Sequence, residues 1–147
     1  MKHVNRLMVV ASVIATLQLS ACGRRSTETE SENEPAKVEP IAGTKLGSVT
    51  LTEEAVKRLD IQKAPVREVQ LRGKQRKVIP YAAVLYDPDG ATWAFTNPKP
   101  LLFVRQAIKI HYIVADLAVL LEGPPSGTAV VTVGAAELFG AEIGVGG

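Results

Sequence analysis

Lys77 to Thr96 reads KVIPYAAVLYDPDGATWAFT, and this stretch decides the fold. Its first half is apolar on both parities, with Val78, Ala82 and Val84 set against Ile79, Ala83 and Leu85. That pattern predicts a strand from Lys77 to Tyr86 covered on both faces, because a half-buried strand would alternate. Pro80 lacks a backbone donor, which places it near the strand start or on an edge. Asp87-Pro88-Asp89-Gly90 is a turn signal: proline presets one dihedral and glycine tolerates a positive φ. The turn should close a hairpin onto Ala91–Thr96, where Trp93 and Phe95 share a face and Asn97-Pro98-Lys99-Pro100 ends the strand.

Working outward, the same strand chemistry recurs. Lys63 to Leu71 places Ala64 and Val66 on one parity and Val69 and Leu71 on the other. That slip predicts a bulge or bend. Leu101 to Ile113 alternates Ile108, Ile110 and Tyr112 against Lys109 and His111, as a half-buried strand does. Leu117–Leu121, the turn Gly123-Pro124-Pro125-Ser126-Gly127 and Ala129–Val133 complete the run. One short helix is expected from Glu53 to about Leu59, with Thr50 and Thr52 as candidate caps and Glu53 and Glu54 at its positive end. Short strands punctuated by Gly and Pro predict a mainly β fold, a small antiparallel barrel or sandwich with one short helix.

The N-terminal part reads differently. Lys2, His3 and Arg6 precede an apolar run, Leu7 to Leu19, too short for a spanning helix of about 20 residues. Leu19-Ser20-Ala21-Cys22 follows, so residues 1–21 read as an export signal, to be set aside in fold reasoning. The box resembles the bacterial lipoprotein signal, which implies acylation of Cys22. The chemistry needs a thiol there because sulfur is the nucleophile that takes up the lipid. Residues 22–46 are acidic and hydroxyl-rich, with Glu28, Glu30, Glu32 and Glu34 and no aromatic, and read as a disordered tether. An acidic docking tail is the alternative. The folded domain is then expected over residues 47–147. The chain is placed in a bacterial cell envelope, tethered to a membrane and facing the periplasm or exterior.

Residues 1–21 carry Lys2 and Arg6 and no acid, so the mature chain holds equal numbers of basic and acidic side chains. A balanced charge argues for no nucleic-acid partner. His111 is the only histidine after residue 21 and Cys22 the only cysteine, so no metal site built on several such ligands is expected, and no cofactor. His111 shares the solvent-facing parity of Lys109 and lacks an evident nucleophile partner, so no catalytic residue and no enzyme activity is expected. Asp87 and Asp89 are explained by their turn. The glycine-rich tail Gly134–Gly147 follows a strand, and a phosphate cradle would need a further helix and strand after it. Trp93, Phe95, Phe103 and Tyr112 read as core rather than as a ligand wall, since aromatic burial dominates stability.

Taken in order, Ile79-Pro80-Tyr81-Ala82-Ala83-Val84, the turn through Gly90, Trp93, Phe103, and Gly123-Pro124-Pro125-Ser126-Gly127-Thr128-Ala129-Val130-Val131-Thr132-Val133-Gly134 with Leu138 resemble a known pattern. The set is similar to the membrane-proximal β-domain of periplasmic adaptor subunits (membrane fusion proteins) of resistance–nodulation–division (RND) efflux systems. Leu51-Thr52 to Leu71 resembles the segment that opens such adaptors. The resemblance covers about 100 residues and implies docking on an inner-membrane RND-type pump. The family's lipoyl-like domain and α-helical hairpin have no room here, because Leu71 is followed within a few residues by Val78 and Ile79, and no heptad run occurs. The expected function is a minimal adaptor-like accessory of an efflux transporter. Lys109, His111, Gly123 and Gly127 are its candidate partner-binding residues. The alternative is a free-standing β lipoprotein that binds a small ligand or stabilises an envelope complex.

Overall fold

A computed structural model describes residues 34–144. The signal, Cys22 and most of the acidic run lie outside the described residues. Eleven strands and two helices follow in order: β1 (Ala36–Pro40), β2 (Gly47–Leu51), α1 (Glu53–Arg58), β3 (Gln62–Pro65), β4 (Arg67–Leu71), β5 (Lys74–Pro80), β6 (Leu85–Tyr86), β7 (Thr92–Lys99), β8 (Leu102–Ala107), β9 (Lys109–Val114), β10 (Leu117–Glu122), β11 (Ala129–Val133) and α2 (Ala135–Glu142). All paired strands run antiparallel. They form two open sheets, the larger ordered β1-β2-β8-β7-β11-β3 with β6 beside β7, the smaller β4-β5-β10-β9. The fold is mainly β, as the periodicity predicts, and a sandwich rather than a closed barrel.

The chain passes between the sheets at buried corners. Val66 separates β3 in the large sheet from β4 in the small one, and Ile108 separates β8 from β9 in the same way. Both side chains are buried in one cluster with Ile79, Ala83, Ala94, Ala118, Leu120 and Val130. The parity slip after Val66 is therefore a change of sheet, one of the ways sandwich corners are made. A second cluster, Val49, Leu51, Ala55, Phe95, Phe103, Val131 and Leu138, packs the opposite face of the large sheet under the two helices. Adjacent residues divide between the clusters, Ala94 against Phe95 and Val130 against Val131. The layers are helices, large sheet, small sheet.

Helix α1 begins where expected: Thr52 Oγ1 accepts a hydrogen bond from the Ala55 amide at 3.1 Å, while Thr50 lies inside β2. The hairpin at Asp87–Gly90 also forms, with β6 paired to Thr92 and Trp93 of β7.

Several expectations are corrected. The domain begins at β1, within the stretch read as tether, rather than at Gly47. Ala36–Pro40 contains too little apolar surface to be read alone. Its ladder is supplied by β2, with Val38 opposite Val49. A second helix occupies the glycine-rich tail: Gly134, at φ +89°, turns the chain, and Ala135 to Phe139 are mostly good helix formers. Lys77–Tyr86 is not one strand. Pro80 closes β5, a 3₁₀ turn covers Tyr81–Ala83, and β6 follows. Pro80 pairs only with Leu117, since β4 pairing stops opposite Val78, so its missing donor faces no strand. Strand β7 runs on to Lys99 because the Asn97 side-chain amide donates to the Lys99 and Leu102 carbonyls across a register shift. Leu101–Ile113 divides at Ile108. A bulge then puts Tyr112 opposite Val119 but Ile110 opposite Leu120, so Tyr112 leaves the face of Ile110.

Candidate docking surfaces

Among the described residues, strand β9 is the outer strand of the small sheet and pairs with β10 alone. Lys109 stands in register with Glu122, Nζ to Oε1 3.5 Å, and both are exposed. His111 is exposed and meets the ring of Tyr112 edge-on at 4.9 Å between centroids. Bulges and charged side chains of this kind blunt an open edge against indiscriminate pairing.

The turn Gly123–Gly127 is not one surface with this strand. Gly123 lies at the Lys109 end, where an added Cβ would stand 2.9 Å from Leu120 Cδ1 and 3.2 Å from Ile108 Cγ2. Gly127 lies at the opposite edge, where its amide donates to the Val66 carbonyl at 2.8 Å and Ser126 Oγ to Glu68 Oε1 at 3.0 Å. Of the four expected partner-binding residues, Lys109, His111 and Gly123 share the β9 side and Gly127 does not.

Exposed apolar side chains lie on both faces at the other end of β9. Ile113 is 46% and Val114 37% exposed, and the turn beyond them accepts a hydrogen bond at the Asp116 carbonyl from the Tyr81 amide, 2.7 Å. Tyr81 and Tyr86 are themselves 42% and 50% exposed. The neighbouring Tyr81 hydroxyl holds the Tyr86 phenol above its ordinary pKa.

A buried polar chain, missed in the sequence, fastens α2 to the large sheet. Arg105 on β8 lies over the ring of Trp93 at 4.3 Å and that of Phe139 at 4.9 Å. Glu142 faces it, with Oε2 2.9 Å from Nε in an ion pair whose angle falls short of a hydrogen bond. Glu142 Oε1 accepts from Arg105 Nη2 at 3.3 Å and from the Gly47 amide at 3.1 Å. The Trp93 indole donates to Asp87 Oδ2 at 2.9 Å, and Asp87 Oδ1 accepts from the Asp89 and Ala91 amides. The sequence signal was weak: a lone Arg within an otherwise apolar strand parity.

The Trp93 hydrogen bond first, then the Ala91 and Asp89 amides and the charge of Arg105, hold the Asp87 carboxyl below the ordinary aspartate pKa, against partial desolvation. A folded pKa below the unfolded one adds stability that is complete above the unfolded value and is lost as pH falls through the folded one. Wild type should therefore melt above Asp87→Ala at neutral pH, with the gap closing on acidification. Thermal melts across the acid range check this, and a gap independent of pH would remove the ionised carboxylate from the account.

An open groove of about 490 Å³ runs between the helices and the β1 side of the large sheet. Leu51, Ala55, Leu59 and Leu138 make its walls, with Arg58 and Glu137 as charged groups. Among the described residues no three or more His, Cys, Asp or Glu side chains converge, and no helix is long and apolar enough to cross a membrane. No family model, curated protein or solved structure matches the chain.

Proposed function

We propose that this chain is a lipid-anchored, extracytoplasmic accessory of an efflux transporter, acting as a minimal adaptor that docks on the pump without a helical hairpin or lipoyl-like domain. The observation that carries the reading is the β9 side of the small sheet: an outer strand with Lys109 and His111 exposed at one end and Ile113, Val114, Tyr81 and Tyr86 at the other. Exposed tyrosines with aliphatic neighbours are the composition that protein interfaces favour. The segments that resemble the adaptor β-domain contribute residues to both core clusters, among them Ile79 and Ala83 in one and Val131 and Leu138 in the other.

Crosslinking in membranes, followed by detergent extraction, tests the reading. Wild type should capture an RND-type transporter. Lys109→Glu should weaken that capture while changing stability by no more than about 1 kcal/mol, because an exposed pair such as Lys109–Glu122 contributes little to folding. Unchanged capture by the variant would remove the β9 edge, and capture of no transporter would remove the adaptor reading. The second reading, a ligand-binding lipoprotein, is favoured by the helix-side groove, whose size and apolar walls suit a small molecule. A bound small molecule with no pump in the same extract would select it.

A further inference from the structure

On β4 and β5 the outer face of the small sheet carries cations and no carboxylate. Residues paired across a sheet share a face, so register alone assigns them. Arg67, Val78, Val119 and Tyr112 form one row, Val69 and Arg76 the next, Leu71 and Lys74 the last, with Pro80 and Leu117 at the other end. The acid of β4 falls elsewhere, since Glu68 pairs with Lys77 on the inner face, and Glu122 stands beyond the β10 bulge at the far β9 edge, paired with Lys109. Arg72, in the β4–β5 turn, reaches over the Tyr112 ring at 5.6 Å. Among the described residues, Arg67, Arg72, Lys74 and Arg76 enter no ion pair. The Arg76 Nε is buried without a hydrogen-bond partner.

The β4–β5 hairpin is thus strongly basic in a chain whose mature charge is balanced. Val69 and Leu71 between the cations and Tyr112 beside them are half-buried, and Val78 and Val119 beneath them are fully covered. We propose that this face rests on an anionic phospholipid surface. Basic side chains alternating with apolar ones suit the headgroup boundary, where the cations meet lipid phosphates and the apolar groups meet the acyl edge. Long Arg and Lys side chains accommodate both environments. On the anchor reading, about a dozen residues separate Cys22 from β1, which holds the domain within about 45 Å of the bilayer. Such tethering raises the effective concentration of the surface and makes weak contacts sufficient. The β9 edge, at the other side of the same sheet, is left free for a protein partner.

Flotation of the full chain carrying Cys22→Ser on vesicles tests this without the lipid anchor. Vesicles of phosphatidylcholine alone are compared with equal parts of phosphatidylcholine and phosphatidylglycerol. Uptake through residues 1–25, whose Lys2, Arg6, Arg24 and Arg25 also favour anionic lipid, is common to all the chains and cancels in the comparison with the variants below. Binding should favour the anionic vesicles and fall with added salt. Arg72→Asn with Lys74→Gln should reduce the anionic preference about tenfold or more, at about 1 kcal/mol per basic residue near the surface. Asn followed by Gly73 suits this two-residue turn, where residues 72 and 73 have φ +51° and +75°, so the hairpin is retained. Lys57→Gln with Lys99→Gln, which removes equal charge elsewhere, should leave the preference intact. Equal binding to both vesicles overturns the proposal. So does an equal loss from both double variants, which would make the effect one of net charge. Retention of the chain by polyglutamate beads together with indifference to phosphatidylglycerol overturns it in favour of an acidic protein partner.

Discussion

Glu142→Ala should destabilise the domain by about 3–5 kcal/mol, the usual result of leaving a buried charge without its partner. The Glu142 side chain is 3% exposed and that of Arg105 10%, so solvent screens little of the loss. Alanine would remove the carboxylate ion-paired with the Arg105 guanidinium and the acceptor of the Gly47 amide. Arg105 would keep Trp93 and Phe139 on its faces, each worth about 1–2 kcal/mol at such a site. That cushion is already counted in both states. Against a total stability of about 5–15 kcal/mol for an ordinary domain, the loss is large. Paired replacement, Arg105→Met with Glu142→Leu, should recover most of it, since no charge is then buried alone. Urea titrations followed by Trp93 fluorescence measure both variants. A Glu142→Ala loss below about 1 kcal/mol would show that the clamp is solvated and does not hold α2.

Phe95→Ala should cost about 3–5 kcal/mol by another route, the cavity left by a large buried ring. Phe95 is fully buried on β7, where one face of the large sheet meets the helix layer with Val49, Phe103, Val131 and Leu138. These neighbours come from three other strands and α2, so the site cannot collapse by moving a single element. The urea midpoint should drop at an unchanged slope, because the surface exposed on unfolding is the same. A shift in slope would mean that the helix layer had already detached in the native state. A small shift in midpoint alone would mean that the ring is not packed between sheet and helices.

Much of the fold was legible in local pattern. The apolar Val78 and Ile79, the Asp-Pro-Asp-Gly turn and the valine-rich β11 mark strands and their turn locally, whereas the same double-parity pattern continues to Leu85 across the end of β5 at Pro80 and a 3₁₀ turn. Thr52 with Glu53 and Glu54 fixes the start of α1 by hydrogen-bonding capacity and charge, which are local. The parity slip at Val66 was visible too, but only as an interruption. Periodicity gives the change of face and is silent on whether the strand continues in the same sheet or crosses to another.

The tertiary structure decided the rest, for reasons that lie outside any short window. Strand β1 exists because β2 offers a ladder, and no property of Ala36–Pro40 alone requires it. Helix α2 forms on a glycine-rich tail because Leu138 finds a buried place and Glu142 finds Arg105 and the Gly47 amide. Gly123 and Gly127 are four residues apart in the chain but serve opposite edges of one sheet, which only strand order reveals. The acid-free basic face likewise follows from register, since Glu68 and its neighbours Arg67 and Val69 point to opposite sides. Sequence determined where most of the strand-forming segments lie; the pairing of distant strands determined that β1 exists, where long runs divide and which residues share a surface, because that is set by hydrogen bonds between segments that local composition does not encode.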